Sequence, residues 1–157
     1  MPKLKFIPLP TNKVRRIQRG SVDANGQIPE RQSKGGGPCR HCLQPIGQNE
    51  EMLIVGYCPF PEPQPYAETG PIFLHAKQCS AYQNIYEIPA MFSLDSDSLM
   101  IIRGYGDNNR IQYSAAAVVP IGELEDRCET LLNEDDVAYL HVRYGLTNCY
   151  QFRVERG

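Results

Sequence analysis

Val137-Ala138-Tyr139-Leu140-His141-Val142-Arg143-Tyr144, followed after a short loop by Tyr150-Gln151-Phe152-Arg153-Val154-Glu155, is the stretch that decides the fold. Its side chains alternate with a period of two, as in a strand with one face covered. Leu140, Val142 and Tyr144 fall on one face; Tyr139, His141 and Arg143 fall on the other. On the return, Tyr150, Phe152 and Val154 oppose Gln151, Arg153 and Glu155. Residues directly across an antiparallel pair share a face, so the apolar sets meet when Tyr144 stands opposite Tyr150. That register leaves Gly145 to Cys149 as the loop, whereas a loop one residue shorter sets Val142 against Gln151. One apolar and one polar face is what a half-covered antiparallel sheet requires.

Working outward, Leu99 to Tyr105 and Arg110 to Val119 form a second hairpin. Its turn, Gly106-Asp107-Asn108-Asn109, holds residues that tolerate positive φ. Between the hairpins, Gly122 to Asn133 is the best helix, with Leu124, Cys128, Leu131 and Leu132 on one side and acids in its first turn. Upstream, Glu51 to Tyr57 and Pro71 to His75 are strands, separated by the extended, proline-rich Pro59 to Pro65. Lys3 to Pro8 is a short strand. Asn12 to Arg19 makes two helical turns, capped by Asn12 and stopped by Gly20. Residues 20–38 read as loop, and Ser33-Lys34-Gly35-Gly36-Gly37-Pro38 as mobile. That run lacks the Gly-Lys-Ser/Thr ending of a phosphate loop and any dinucleotide-binding spacing. There is no internal repeat. The expected fold class is α+β: a mainly antiparallel sheet, one main helix near the C-terminal third, and a Cys/His knuckle.

At 157 residues the chain fits one domain, 1–157, able to bury its own core. Its 41% hydrophobic and 22% charged content is that of a globular protein. No apolar run reaches the roughly 20 residues of a membrane span. No apolar stretch or cleavage site follows Met1-Pro2-Lys3-Leu4-Lys5, so a cytoplasmic location is expected. In that reducing setting the six cysteines read as metal-binding, catalytic or buried thiols rather than disulfides. Charge is uneven. Residues 1–40 carry nine of the 16 Lys and Arg against Asp23 and Glu30, a net +7, which leaves −9 for the remainder. A basic arm of this kind can hold nucleic acid or another polyanion. No recognition helix or aromatic-basic motif accompanies it, which favours residues 1–38 as a basic, partly mobile segment packed on 39–157.

Gly37-Pro38-Cys39-Arg40-His41-Cys42-Leu43, Pro65-Tyr66-Ala67-Glu68-Thr69-Gly70-Pro71-Ile72-Phe73-Leu74-His75-Ala76, Arg103-Gly104-Tyr105, His141-Val142-Arg143 and Cys149-Tyr150 occur in that order. Together they resemble a bacterial family known only as domain-of-unknown-function family 1203. The resemblance runs over most of the chain and implies a small bacterial protein. It supplies no activity, so any chemistry must be read from the residues.

The sharpest chemical pattern is Cys39-x2-Cys42 with His75-x3-Cys79. Zinc takes four soft or borderline donors in a tetrahedron, and Cys-x2-Cys offers two thiolates from one tight knuckle. His75 at a strand end and Cys79 shortly after can close the other side, with Arg40 and Lys77 offsetting the thiolate charge. The bland alternative is that the cysteines pack as small hydrophobes and His75 merely ends a strand. A redox reading of Cys39-Arg40-His41-Cys42 needs the first cysteine at a helix N-terminus. Pro45 and Gly47 break such a helix.

A second constellation comprises Tyr66, Glu68, Arg103, Tyr105, His141, Arg143 and Cys149. Arginine forks suit a carboxylate or phosphate, so Arg103 and Arg143 beside His141 suggest a site for a small anion. His141 can serve as a general base or activate Cys149. The alternative is a solvated sheet face. Three functions stay open. The first is a binding module for a small anionic ligand or a protein partner, stabilised by zinc. The second is a small enzyme using His141 and Cys149, or His75, in an arginine-flanked pocket. The third is a polyanion or nucleic-acid adaptor working through the basic segment, the least favoured of the partners.

Overall fold

The computed structural model describes residues 3–93 and 96–157. The chain divides into two compact units. One takes the chain up to Ile7 together with Gln83–Gly157, and the other is Pro8–Tyr82. Both are built on antiparallel sheet, so the class is α+β. No helix among the described residues is long and apolar enough to cross a membrane.

The Pro8–Tyr82 unit holds helix α1 (Thr11–Gln18) and strands β2 (Glu30–Gln32), β3 (Met52–Tyr57) and β4 (Gly70–His75). The strands pair in the order β2-β3-β4. In β3, Leu53 and Val55 are buried, and opposite them in β4 Leu74 and Ile72, which fixes the inward face of the pair. Helix α1 buries Val14 and Ile17. It starts after Pro10, not at a side-chain cap, and Asn12 lies inside its first turn, accepting a bond from the Lys13 amide. Gly20 follows its end at φ +103°, a conformation open to glycine at no steric cost. The segment read as irregular contains strand β2, and its glycines lead into the cysteine knuckle, where the Gly37 carbonyl accepts from the Ile46 amide.

The other unit is a five-stranded sheet of β1 (Leu4–Ile7), β5 (Leu99–Tyr105), β6 (Ile111–Pro120), β7 (Tyr139–Tyr144) and β8 (Tyr150–Arg156). The order is β1-β8-β7-β5-β6. A 3₁₀ turn at Ile121–Glu123 opens into helix α2 (Leu124–Leu132), which buries Leu124, Cys128, Leu131 and Leu132. Those four are the stripe the sequence marks. Phe152 is a hub of this core, meeting Phe6 and Phe92 edge-on with ring centroids 5.8 and 4.9 Å apart.

The C-terminal hairpin pairs Leu140 with Val154 and Val142 with Phe152, as the alternation requires. Beyond them the register differs from expectation. A β-bulge at Gln151 sets Tyr150 opposite Arg143 instead of Tyr144. The extra residue turns the Tyr150 ring onto the polar face, where it meets His141 edge-on at 5.0 Å.

Candidate metal centre

Residues 37–46 fold into a knuckle because two hydrogen bonds close its neck, Cys39 amide to Gln44 carbonyl and Ile46 amide to Gly37 carbonyl. The Leu43 amide returns to the Cys39 carbonyl, and Leu43 takes φ +56° to complete the turn. The knuckle docks on β4: Cys39 bridges Phe73, and the Arg40 amide donates to the Phe73 carbonyl. Gly37 makes this approach fit, since a Cβ there would lie 2.8 Å from the Phe73 ring. Two residues beyond Phe73, β4 ends at His75. The knuckle cysteines therefore face the histidine because of where Cys39 pairs, although 36 residues separate Cys39 from His75.

Cys39, Cys42, His75 and Cys79 converge, with one ligand atom from each lying within 4.8 Å of the others. Cys42 Sγ is 3.5 Å from His75 Nδ1, and Cys39 Sγ is 3.9 Å from Cys79 Sγ. Three thiols and an imidazole are a donor set suited to a soft or borderline divalent cation. The backbone is already arranged for thiolates. Cys39 Sγ accepts from the His75 amide at 3.5 Å and from the Cys42 amide, and the Gln44 amide points at Cys42 Sγ. The sulfurs share charge unequally. Hydrogen bonds from Cys42 and Cys79 hold the Cys39 thiol far below its ordinary range. The bond to Cys39 pushes Cys42 up to about 11, and bonds to Cys39 and Cys42 hold Cys79 higher still. Sulfurs this close cannot all ionise unless a cation lies among them.

Around the four donors stands a second layer that the sequence reading did not identify. His75 Nε2 lies 3.4 Å from a Glu50 carboxylate oxygen, which orients the ring with Nδ1 toward the sulfurs. His41, weighed in the sequence only for redox chemistry, is fully buried, with Nδ1 3.1 Å from Cys79 Sγ and Nε2 2.9 Å from Thr11 Oγ1. Burial and the nearby Arg15 hold its imidazole below the usual histidine range. Thr11, Arg15 and Gln18, spaced four and three apart, lie on one side of α1 and grip the cluster from there. Arg15 donates to the Cys79 carbonyl, and Gln18 to the carbonyls of His75 and Lys77. The i, i+4, i+7 spacing was a legible signal of a shared helix side, but nothing in it pointed to residues 75–79.

Arg40 is buried, donates to the Pro38 carbonyl at 2.6 Å and lies over the Phe73 ring, so it also builds the knuckle. Lys77 is exposed. Cys39 to Cys42 forms a turn and not a helix N-terminus, the geometry expected from Pro45 and Gly47.

Tyr66 and Glu68 belong to the Pro8–Tyr82 unit, and Arg103, Tyr105, His141, Arg143 and Cys149 to the other. Within the five-stranded sheet, Arg103, His141 and Arg153 form a row across β5, β7 and β8. Tyr105 and Tyr139 stack at 5.3 Å beside it, and His141 tilts against both. Burial first, then the charges of Arg143, Arg153 and Arg103, hold the His141 imidazole well below its ordinary range. All three guanidiniums therefore act on one imidazole. Arg143 donates to the Asn148 carbonyl and Arg153 pairs with Glu155 at 2.7 Å. The Cys149 thiol turns toward the Thr147 carbonyl.

Four of the basic N-terminal residues are engaged within their own units. Lys3 pairs with Glu129 and Arg31 with Glu51, while Arg15 and Arg40 serve the knuckle. The chain belongs to the family described as protein of unknown function (DUF1203), whose model matches residues 36–156. No curated protein and no solved structure matches it.

Proposed function

We propose that the chain is a zinc-stabilised binding module, with Cys39, Cys42, His75 and Cys79 holding one structural zinc ion. The convergence of the four donors within 4.8 Å carries this reading. Four protein donors complete a tetrahedron, and a complete tetrahedron leaves no open position for a substrate. Zinc would supply cross-linking here, tying the knuckle to the end of β4 and the segment after it. Titrating the metal-stripped, reduced chain with zinc and with magnesium tests the reading. Zinc should raise the melting temperature steeply up to about one equivalent, and magnesium should leave it unchanged. Equal responses, or none, would remove the metal from the account.

The ligand class follows from a second observation. Arg103, Arg143 and Arg153 surround His141 on three neighbouring strands, and all three charges act on its ring. Guanidinium forks recognise carboxylates and phosphates, so the reading it favours is a small anionic ligand.

A further inference from the structure

We infer that Thr11 and His41 form an outer hydrogen-bond layer on the metal centre, with His41 the positioning residue for the Cys79 sulfur. The inference rests on the zinc reading and adds to it two residues that would not touch the ion. His41 is fully buried, and each ring nitrogen has a partner: Nδ1 lies 3.1 Å from Cys79 Sγ and Nε2 2.9 Å from Thr11 Oγ1. A sulfur that ligates a cation is a thiolate and can only accept. The ring proton therefore sits on Nδ1 and points at sulfur. Nε2 is then left as an acceptor, which the Thr11 hydroxyl fills by donating. The two bonds run in one direction, from Thr11 to His41 to Cys79, and fix a single tautomer.

Of the three sulfurs, Cys79 is the one that needs this support. Cys39 and Cys42 lie in the knuckle, whose own backbone amides point at their sulfurs. Cys79 lies in an irregular segment beyond β4. Its carbonyl is held by Arg15, one turn after Thr11 on α1. Helix α1 thus restrains Cys79 twice, through the backbone by Arg15 and through the sulfur by Thr11 and His41. An N–H bond to a thiolate fixes the direction of its lone pairs and draws electron density from it. Outer-layer bonds of this kind are typically worth about 10- to 100-fold in metal affinity.

The test uses the full chain, reduced, with zinc affinity read by competition against a chromophoric chelator. Cobalt(II) serves as a spectroscopic probe of the sulfur ligands. His41→Phe keeps a ring and removes the donor; His41→Asn keeps an N–H near the position of Nδ1; Thr11→Val removes only the hydroxyl. His41→Phe should lose about 10- to 100-fold in zinc affinity and move the thiolate-to-cobalt band to lower energy. His41→Asn should restore much of both, and Thr11→Val should shift the band in the same direction by less. A folded His41→Phe with unchanged affinity and band overturns the inference, as does a loss that His41→Asn fails to restore. If His41→Phe does not fold, Thr11→Val decides, and an unchanged band there is equally fatal. An unmutated chain that binds neither zinc nor cobalt sinks the zinc reading itself, a result seen before any variant is compared.

Discussion

Arg103 and His141 stand directly opposite each other on neighbouring strands, and Arg153 stands opposite His141 from the other side. With Arg143 two residues along β7, three cations bear on one buried imidazole enclosed by the rings of Tyr105, Tyr139 and Tyr150. Folded, His141 stays neutral well below pH 6.5; unfolded, it titrates near about 6.5. Below that pH the unfolded chain binds the extra proton, so stability falls as pH falls, by up to about 1.4 kcal/mol per pH unit. Above about pH 6.5 the contribution is flat. His141→Phe should show a shallower loss of unfolding free energy between about pH 6.5 and 5 than the parent. Parallel curves would contradict the assignment.

Arg143→Lys addresses the anion reading, because lysine keeps the charge and loses the planar fork. Phosphate or citrate should raise the melting temperature of the parent by mass action, and the rise should shrink in the variant. If no anion shifts the parent, and the variant is simply less stable, the arginines serve the fold through bonds such as Arg143 to the Asn148 carbonyl.

Gly37 tests the knuckle. It takes φ +71°, and a Cβ would press on the Phe73 ring at 2.8 Å. Gly37→Ala should cost about 1–3 kcal/mol from the backbone alone, and the clash adds to it. Because Gly37 precedes Cys39, zinc affinity should fall along with the melting temperature. A variant with parental stability would mean that the knuckle does not sit on β4 as described.

Thiol reactivity separates the six cysteines. Cys128 is fully buried in α2, and burial, with Glu125 beside it, pushes its thiol up to about 12. In the zinc-loaded chain an aromatic disulfide reagent should modify the half-buried Cys58 and Cys149 first. Cys39, Cys42 and Cys79 should follow only after a chelator is added, and Cys128 only on unfolding. Prompt labelling of Cys128 in the native chain would refute its placement.

The sequence made the strands and the four donors legible for the same reason: each is a short-range pattern. Alternation identifies the two faces of the last hairpin at 139–144 and 152–154, and Cys-x2-Cys with His-x3-Cys marks the four residues whose side chains converge. The bulge at Gln151 left no trace, because one inserted residue changes register without changing which residues look apolar. Strand β2 was illegible because Glu30, Arg31 and Gln32 are all exposed and carry no alternation. The outer layer escaped because Thr11 and Arg15 meet their partners across 30 and 64 residues. Such contacts depend on where α1 packs, and its sequence encodes only that it is a helix.

The central claim is one zinc ion on Cys39, Cys42, His75 and Cys79, and X-ray absorption at the zinc edge tests it most directly. Protein purified without chelator should carry about one zinc per chain, with three sulfurs near about 2.3 Å and one nitrogen near about 2.0–2.1 Å. Folded, metal-free protein that takes up no zinc when it is offered, or a shell of nitrogen and oxygen alone, would contradict it.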